Sequence, residues 1–232
     1  MRAGGRYIEG MRIAFAVIRV LVAALIVVAI VAQLDRSFSN WHAAGADVEF
    51  QLVNFFSFFT IEANIGSVVV LLVGAAFAFA HRNDPRWYTL FRVIVVTYMG
   101  VTGVVYNLLL RGVELPQGTT VVWSNEVLHV VACAYLVLDW LFAPGRTPLS
   151  YRAIRAIVIF PIVWAAYTLI RGPFAIDRLT GKPWYPYPFL NPNLANEGYW
   201  SVAFYVVLIA VIVGLVGAGA IWVSRRKAVP AA

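Results

Sequence analysis

Apolar residues run along this chain in stretches too long for a half-buried strand and too unbroken for a surface helix. Six such runs stand out, from Arg12 to Leu34, Phe50 to Ala80, Trp87 to Leu110, Val121 to Phe142, Arg152 to Ile170 and Tyr199 to Val223. A hydrocarbon core of ~30 Å needs ~20 apolar residues per helix, so the pattern predicts an all-α, polytopic membrane bundle of six transmembrane helices. The loops are short enough for sequential helices to pack antiparallel, and residues 1–232 make one domain. The first run has the basic start of a signal peptide. Its roughly twenty apolar residues exceed the ~7–15 of a signal h-region, which predicts a retained helix.

The connection from Arg171 to Gly198 breaks the pattern. Pro173, Pro183, Pro186, Pro188 and Pro192 exclude a regular helix there, because proline lacks a backbone donor. Trp184, Tyr185, Tyr187 and Phe189 lie between these prolines. So aromatic a segment is either an interfacial aromatic belt or a lid over a mouth of the bundle.

Composition and charge sharpen this picture. Hydrophobic residues make up 62% of the chain and charged residues 12%, about half the ~25% charged residues of a soluble domain. The net charge of +7 comes from short basic clusters beside apolar runs, which form no continuous patch for nucleic acid. Twelve basic residues fall at the two termini and in the second and fourth connections, among them Arg2, Arg6, Arg82, Arg86, Arg146 and Lys227. Five fall on the other side, at Arg36, Arg111, Arg171, Arg178 and Lys182. The positive-inside rule then predicts cytoplasmic termini in the cell (plasma or inner) membrane. Cys133 is the sole cysteine, so no intrachain disulfide forms.

Polar groups inside an apolar span are costly and tend to mark function. The second run carries Asn54, Ser57, Thr60, Asn64 and Ser67. On a continuous helix at ~100° per residue these share an arc of about 140°. Glu62 points about 160° away from Thr60, which predicts a polar partner such as a Tyr or Arg on another helix. In the fourth run, Asn125 and Glu126 precede His129 by about one turn. Thr60 and His129 come out about 4.5 Å apart in depth, close enough for a hydroxyl and an imidazole to meet. That is the minimal nucleophile–base pair, with Asn125 or Glu126 orienting the base and Asn64 or Asn125 donating to an oxyanion. Interhelical hydrogen bonding is the plainer reading of the same residues. A single intramembrane histidine and no thiolate cluster exclude paired haem ligation and a metal centre, and no cofactor is expected.

Three motifs, Phe58-Phe59-Thr60-Ile61-Glu62-Ala63-Asn64, Leu128-His129 through Asp139-Trp140, and Tyr185-Pro186-Tyr187-Pro188-Phe189-Leu190, together resemble a bacterial family of six-transmembrane integral membrane proteins. That likeness implies the topology and no activity. More distantly the layout resembles the androgen-induced-gene family of multipass hydrolases that cleave esters of hydroxy fatty acids with a Thr nucleophile and a His. The resemblance implies Thr60 and His129 in those roles, with membrane lipid or a fatty-acid ester as ligand. The long aromatic segment has no counterpart there. Two functions follow as expectations: an intramembrane lipid-ester hydrolase, or a protein that binds or transports a lipid or small amphiphile in the same pocket without chemistry.

Overall fold

The computed structural model describes residues 2–111, 120–194 and 198–226, with side chains from residue 9 onward. The side chains of Arg2 and Arg6, and the whole of Lys227, lie outside it. Among the described residues the chain is helical and free of strands, apart from one isolated bridge between Ile176 and Pro183. Among the described residues six helices are long and apolar enough to cross a membrane. They are α1 (Arg2–Ala43), α3 (Phe59–Phe79), α4 (Arg86–Val105), the α5–α6 rod (Val122–Glu126 and Ala132–Phe142), α7 (Ile154–Arg171) and α8 (Tyr199–Arg225). The short α2 (Val48–Phe56) precedes α3.

Alternating direction along the six brings the start of α1 and the end of α8 to one end. That end is tied together by Arg12 Nη2 donating to the Arg82 carbonyl at 2.8 Å, Asp84 N to the Gly145 carbonyl at 3.0 Å and Leu149 N to Ser224 Oγ at 3.1 Å. Residues 172–194 of the 172–198 segment lie at the opposite end. α7 and α8 leave Ile162, Ile170, Phe204 and Leu215 bare, each more than 60% exposed. Such a surface suits hydrocarbon and is a liability in water.

The second apolar run is two helices rather than one. Ser57 ends α2, its Oγ donating back to the Val53 carbonyl at 2.7 Å, and Phe58 turns extended with ψ 125°. The break is held from outside, because Trp164 Nε1 donates to the Ser57 carbonyl at 3.0 Å and Thr60 N donates to the Tyr187 hydroxyl at 3.3 Å. Backbone groups freed within an apolar span persist only when neighbours take them up in this way. Aromatic packing fixes the turn: Phe58 meets Trp184 and Tyr187, while Phe59 meets Tyr98, Phe160 and Trp164. Thr60 is therefore the second residue of α3 and sits at the start of the span, not part-way along a longer helix.

Two spans also loosen into π-helical turns, Tyr106–Leu110 at the end of α4 and Val127–Val131 between α5 and α6. Isolated π turns inside α-helices are frequent at functional sites. At the termini end a buried ionic network joins four spans. Arg19 meets Asp139 at 2.8 Å and donates to the Gly74 carbonyl at 2.9 Å; Arg92 meets Asp139 at 2.7 Å and Asp84 at 2.8 Å. Glycine is required at position 74, since a Cβ there would collide with the Tyr88 hydroxyl.

Candidate functional site

Where α3 begins, the bundle holds a partly open cavity of about 90 Å³. A single water needs ~10–15 Å³ by the same measure, so this space holds part of a small molecule. Among the described residues its wall is almost wholly apolar, drawn from α3, α4, α7, α8 and residues 187–190. The polar exceptions include Thr60, Thr102, Tyr106, His129 and Tyr187.

Thr60 and His129 border the same cavity, but they are not bonded to each other. The Thr60 hydroxyl lies 3.2 Å from the Tyr187 hydroxyl, which also accepts from Thr60 N. Burial pushes the Tyr187 phenol up to about 12, so it stays protonated at neutral pH and keeps both donor and acceptor capacity. His129 lies in the second π turn and stacks on Tyr106 of the first, ring centres 4.3 Å apart. Its Nδ1 is 2.9 Å from the Asn125 carbonyl. A carbonyl only accepts, so Nδ1 carries a proton, and in the neutral ring Nε2 is the acceptor.

The residues expected to support this pair are placed elsewhere, and none of Ser57, Asn64, Asn125 and Glu126 lines the cavity. The Asn64 amide is spent on the carbonyls of Thr60, at 2.9 Å, and Leu128, at 3.1 Å, where it pins α3 to the π turn of His129. It has no donor left for an oxyanion. The Asn125 side chain donates to the Tyr106 hydroxyl at 2.6 Å, so its backbone and not its amide orients the imidazole. Glu126 pairs with Arg111 at 3.0 Å, half exposed. Ser57 braces the α2–α3 break and reaches the Tyr167 hydroxyl at 3.0 Å. Glu62 is half-buried, and its Oε2 has no hydrogen-bond partner among the described residues; the expected Tyr or Arg is not there.

Within the 172–198 segment, Tyr187, Phe189 and Leu190 form part of the cavity wall. Trp184 and Tyr185 anchor the segment instead. Trp184 packs edge-on to Phe58, and the Tyr185 ring occupies the space a Cβ at Gly172 would need. All three of Trp184, Tyr185 and Tyr187 are buried, so the segment is packed onto the bundle.

Sequence reasoning passed over two cavity residues. Thr102 is one more threonine in the third apolar run, and Tyr106 lies near the end of that run. A signal existed in the four-residue spacing of Thr102 and Tyr106, which sets them one turn apart on one face. Behind His129, on the outside of the bundle, an open apolar groove runs between α4 and α6 past Gly100, Gly103 and Cys133, with His129 lining it as well.

The fold and site define, among the described residues, an apolar bundle of six long helices with a partly open cavity at the end opposite the start of α1 and the end of α8. No family model, curated protein or solved structure matches this chain.

Proposed function

We propose that this is a six-pass protein of the cell membrane, its termini cytoplasmic, that binds a single-chain amphiphile inside the bundle. The chain of the ligand fills the apolar cavity and its polar end rests among Thr60, Thr102, His129 and Tyr187. The observation that carries this reading is a partly open, apolar pocket with a few uncharged polar residues among those that line it, the usual composition of a small-molecule site. The groove between α4 and α6 supplies a route from the bilayer, since His129 borders both spaces. Filling the cavity tests the reading. Ala165→Trp is expected to lower the amount of lipid that co-purifies in a defined complex, measured by native mass spectrometry, by tenfold or more. Unchanged lipid occupancy would sink it.

A second reading, a lipid-ester hydrolase, is favoured by one observation: Thr60 and His129 border one cavity, with Nδ1 of the imidazole anchored. In that reaction His129 Nε2 takes the Thr60 proton as Thr60 Oγ1 bonds the ester carbonyl carbon. The alcohol then leaves with that proton, and water releases the acid from the acyl-enzyme. Thr60 Oγ1 lies 3.2 Å from the Tyr187 hydroxyl and His129 Nδ1 is held by the Asn125 carbonyl, so the hydroxyl and the imidazole, which share no hydrogen bond, have to approach first. That requirement ranks chemistry below binding. The likeness to the androgen-induced-gene family belongs to this second reading.

A further inference from the structure

Among the described residues, the termini end buries four arginines, Arg12, Arg19, Arg92 and Arg146, with two aspartates, Asp84 and Asp139. Arg19 and Arg92 share Asp139, and Arg92 also holds Asp84. Arg146 Nη1 donates to the carbonyls of Trp140, Leu141 and Ala143, where the negative pole at the end of α6 offsets its charge. Arg12, only 6% exposed, has neither kind of partner. No ion pair among the described residues includes it. Glu9, the acid nearest to it along α1, leans instead on His81, 3.9 Å away at the surface. Arg12 Nη2 serves two neutral acceptors, the Arg82 carbonyl at 2.8 Å and Asn83 Oδ1 at 3.0 Å. Its Nε and Nη1 make no hydrogen bond among the described residues. The guanidinium nitrogens that are both sealed off and unbonded at this end belong to Arg92 and Arg146.

Arg12 borders a small recess of about 10 Å³, lined also by the exposed Arg82 and by Asp84, which is already paired to Arg92. That volume takes one water, or one oxygen of a larger group. A buried cation without a counter-charge is costly, and an anion that supplies the charge relieves the cost. Arginine meets phosphate oxygens with charge-assisted hydrogen bonds, often two at once. Arg12 is also where the first apolar run begins, the level at which a bilayer changes from hydrocarbon to head groups.

We propose that this recess binds the phosphate of an anionic phospholipid, of the phosphatidylglycerol or cardiolipin class, with one oxygen entering to Arg12 and another meeting Arg82. Basic pockets between membrane helices take such head groups. Phosphatidylcholine carries its own ammonium and leaves the unpaired charge of the recess unmet. The proposal rests on the membrane-spanning reading and is independent of the cavity.

The test titrates full-length protein in detergent with phosphatidylglycerol or phosphatidylcholine and reads the retained lipid by native mass spectrometry. Phosphatidylglycerol is expected to be retained about fivefold more. Arg12→Gln can still donate to the Arg82 carbonyl, and Arg82→Gln changes an exposed position. Each is expected to cut phosphatidylglycerol retention about fivefold and to leave phosphatidylcholine unchanged. If Arg12→Gln fails to fold, Arg82→Gln decides. Arg155→Gln removes an exposed charge outside the recess and is expected to change little. Inorganic phosphate in large excess is expected to displace little of the lipid. Equal retention of the two lipids, wild-type retention by the Arg12 and Arg82 variants, or an equal loss in Arg155→Gln, which means general attraction to a basic surface, overturns the proposal. Full displacement by inorganic phosphate assigns the recess to a free anion and overturns the lipid class. None of these outcomes bears on the cavity, whose own test is Ala165→Trp.

Discussion

At the scale of single residues, one hydroxyl decides how the site is read. Tyr187 reaches down from the 172–198 segment and engages Thr60 through both its backbone nitrogen and its side chain. Thr60 is held by a phenol, and His129 by the Asn125 carbonyl. The two meet across the cavity rather than in a bond. If the hydrolase reading is correct, Thr60→Ala and His129→Ala are each expected to abolish hydrolysis of a lipid ester, with the double variant no worse, because residues acting as one unit are non-additive. Labelling with a fluorophosphonate probe checks the same point. Wild-type turnover by Thr60→Ala withdraws the chemistry and leaves the pocket. Thr60 and His129 were legible in the sequence because both are polar and lie in apolar runs. Tyr187 was legible only as an aromatic, since nothing local says which helix terminus a loop phenol will reach across 127 residues.

Among the elements, polar side chains do the joining. Arg19 of α1 and Asp139 of α6 read as isolated charges along the chain, 120 residues apart. Packed, they form the centre of a network that also takes in Arg92 and Asp84, all four nearly inaccessible. Buried pairs of this kind specify which helices meet more than they add stability. Breaking one is costly, however, since it strands a charge. Asp139→Asn leaves Arg19 with no acid and is expected to lower unfolding stability by about 3–5 kcal/mol, measured by denaturant titration in detergent. The double change Arg19→Leu with Asp139→Leu leaves Arg92 still paired to Asp84 and is expected to recover much of that loss. A cost under about 1 kcal/mol for Asp139→Asn would mean that water reaches the network. The helix breaks belong to this scale too. Ser57 and Phe58 carry no proline or glycine to announce a turn, and the interruption exists because Trp164 and Tyr187 hold the freed backbone groups.

For the whole molecule, the six helices make a body whose two ends differ in chemistry. The termini end carries the ionic network and most of the basic residues, and the other end carries the cavity and its packed aromatic segment. In the proposed orientation, with the termini cytoplasmic, the cavity would lie toward the outer leaflet. On a Cys133→Ala background, Thr180→Cys is expected to react with impermeant maleimide added to intact cells, and Asn83→Cys only after lysis. Both positions are exposed at opposite ends, so a reversed labelling pattern would invert the orientation and move the cavity to the inner leaflet.

Residue order alone determined the helical class, the number of spans and the positions where polarity is costly. These depend on transfer free energies summed over ~20 neighbouring residues, and such sums are local. Tertiary structure decided the rest. Whether the second run bends at Ser57, which hydroxyl faces Thr60, why Asn64 is spent, and how Arg19 finds Asp139 all depend on partners remote in sequence. A side-chain hydrogen bond acts over about 3 Å, and only packing of the six helices brings those groups within that range.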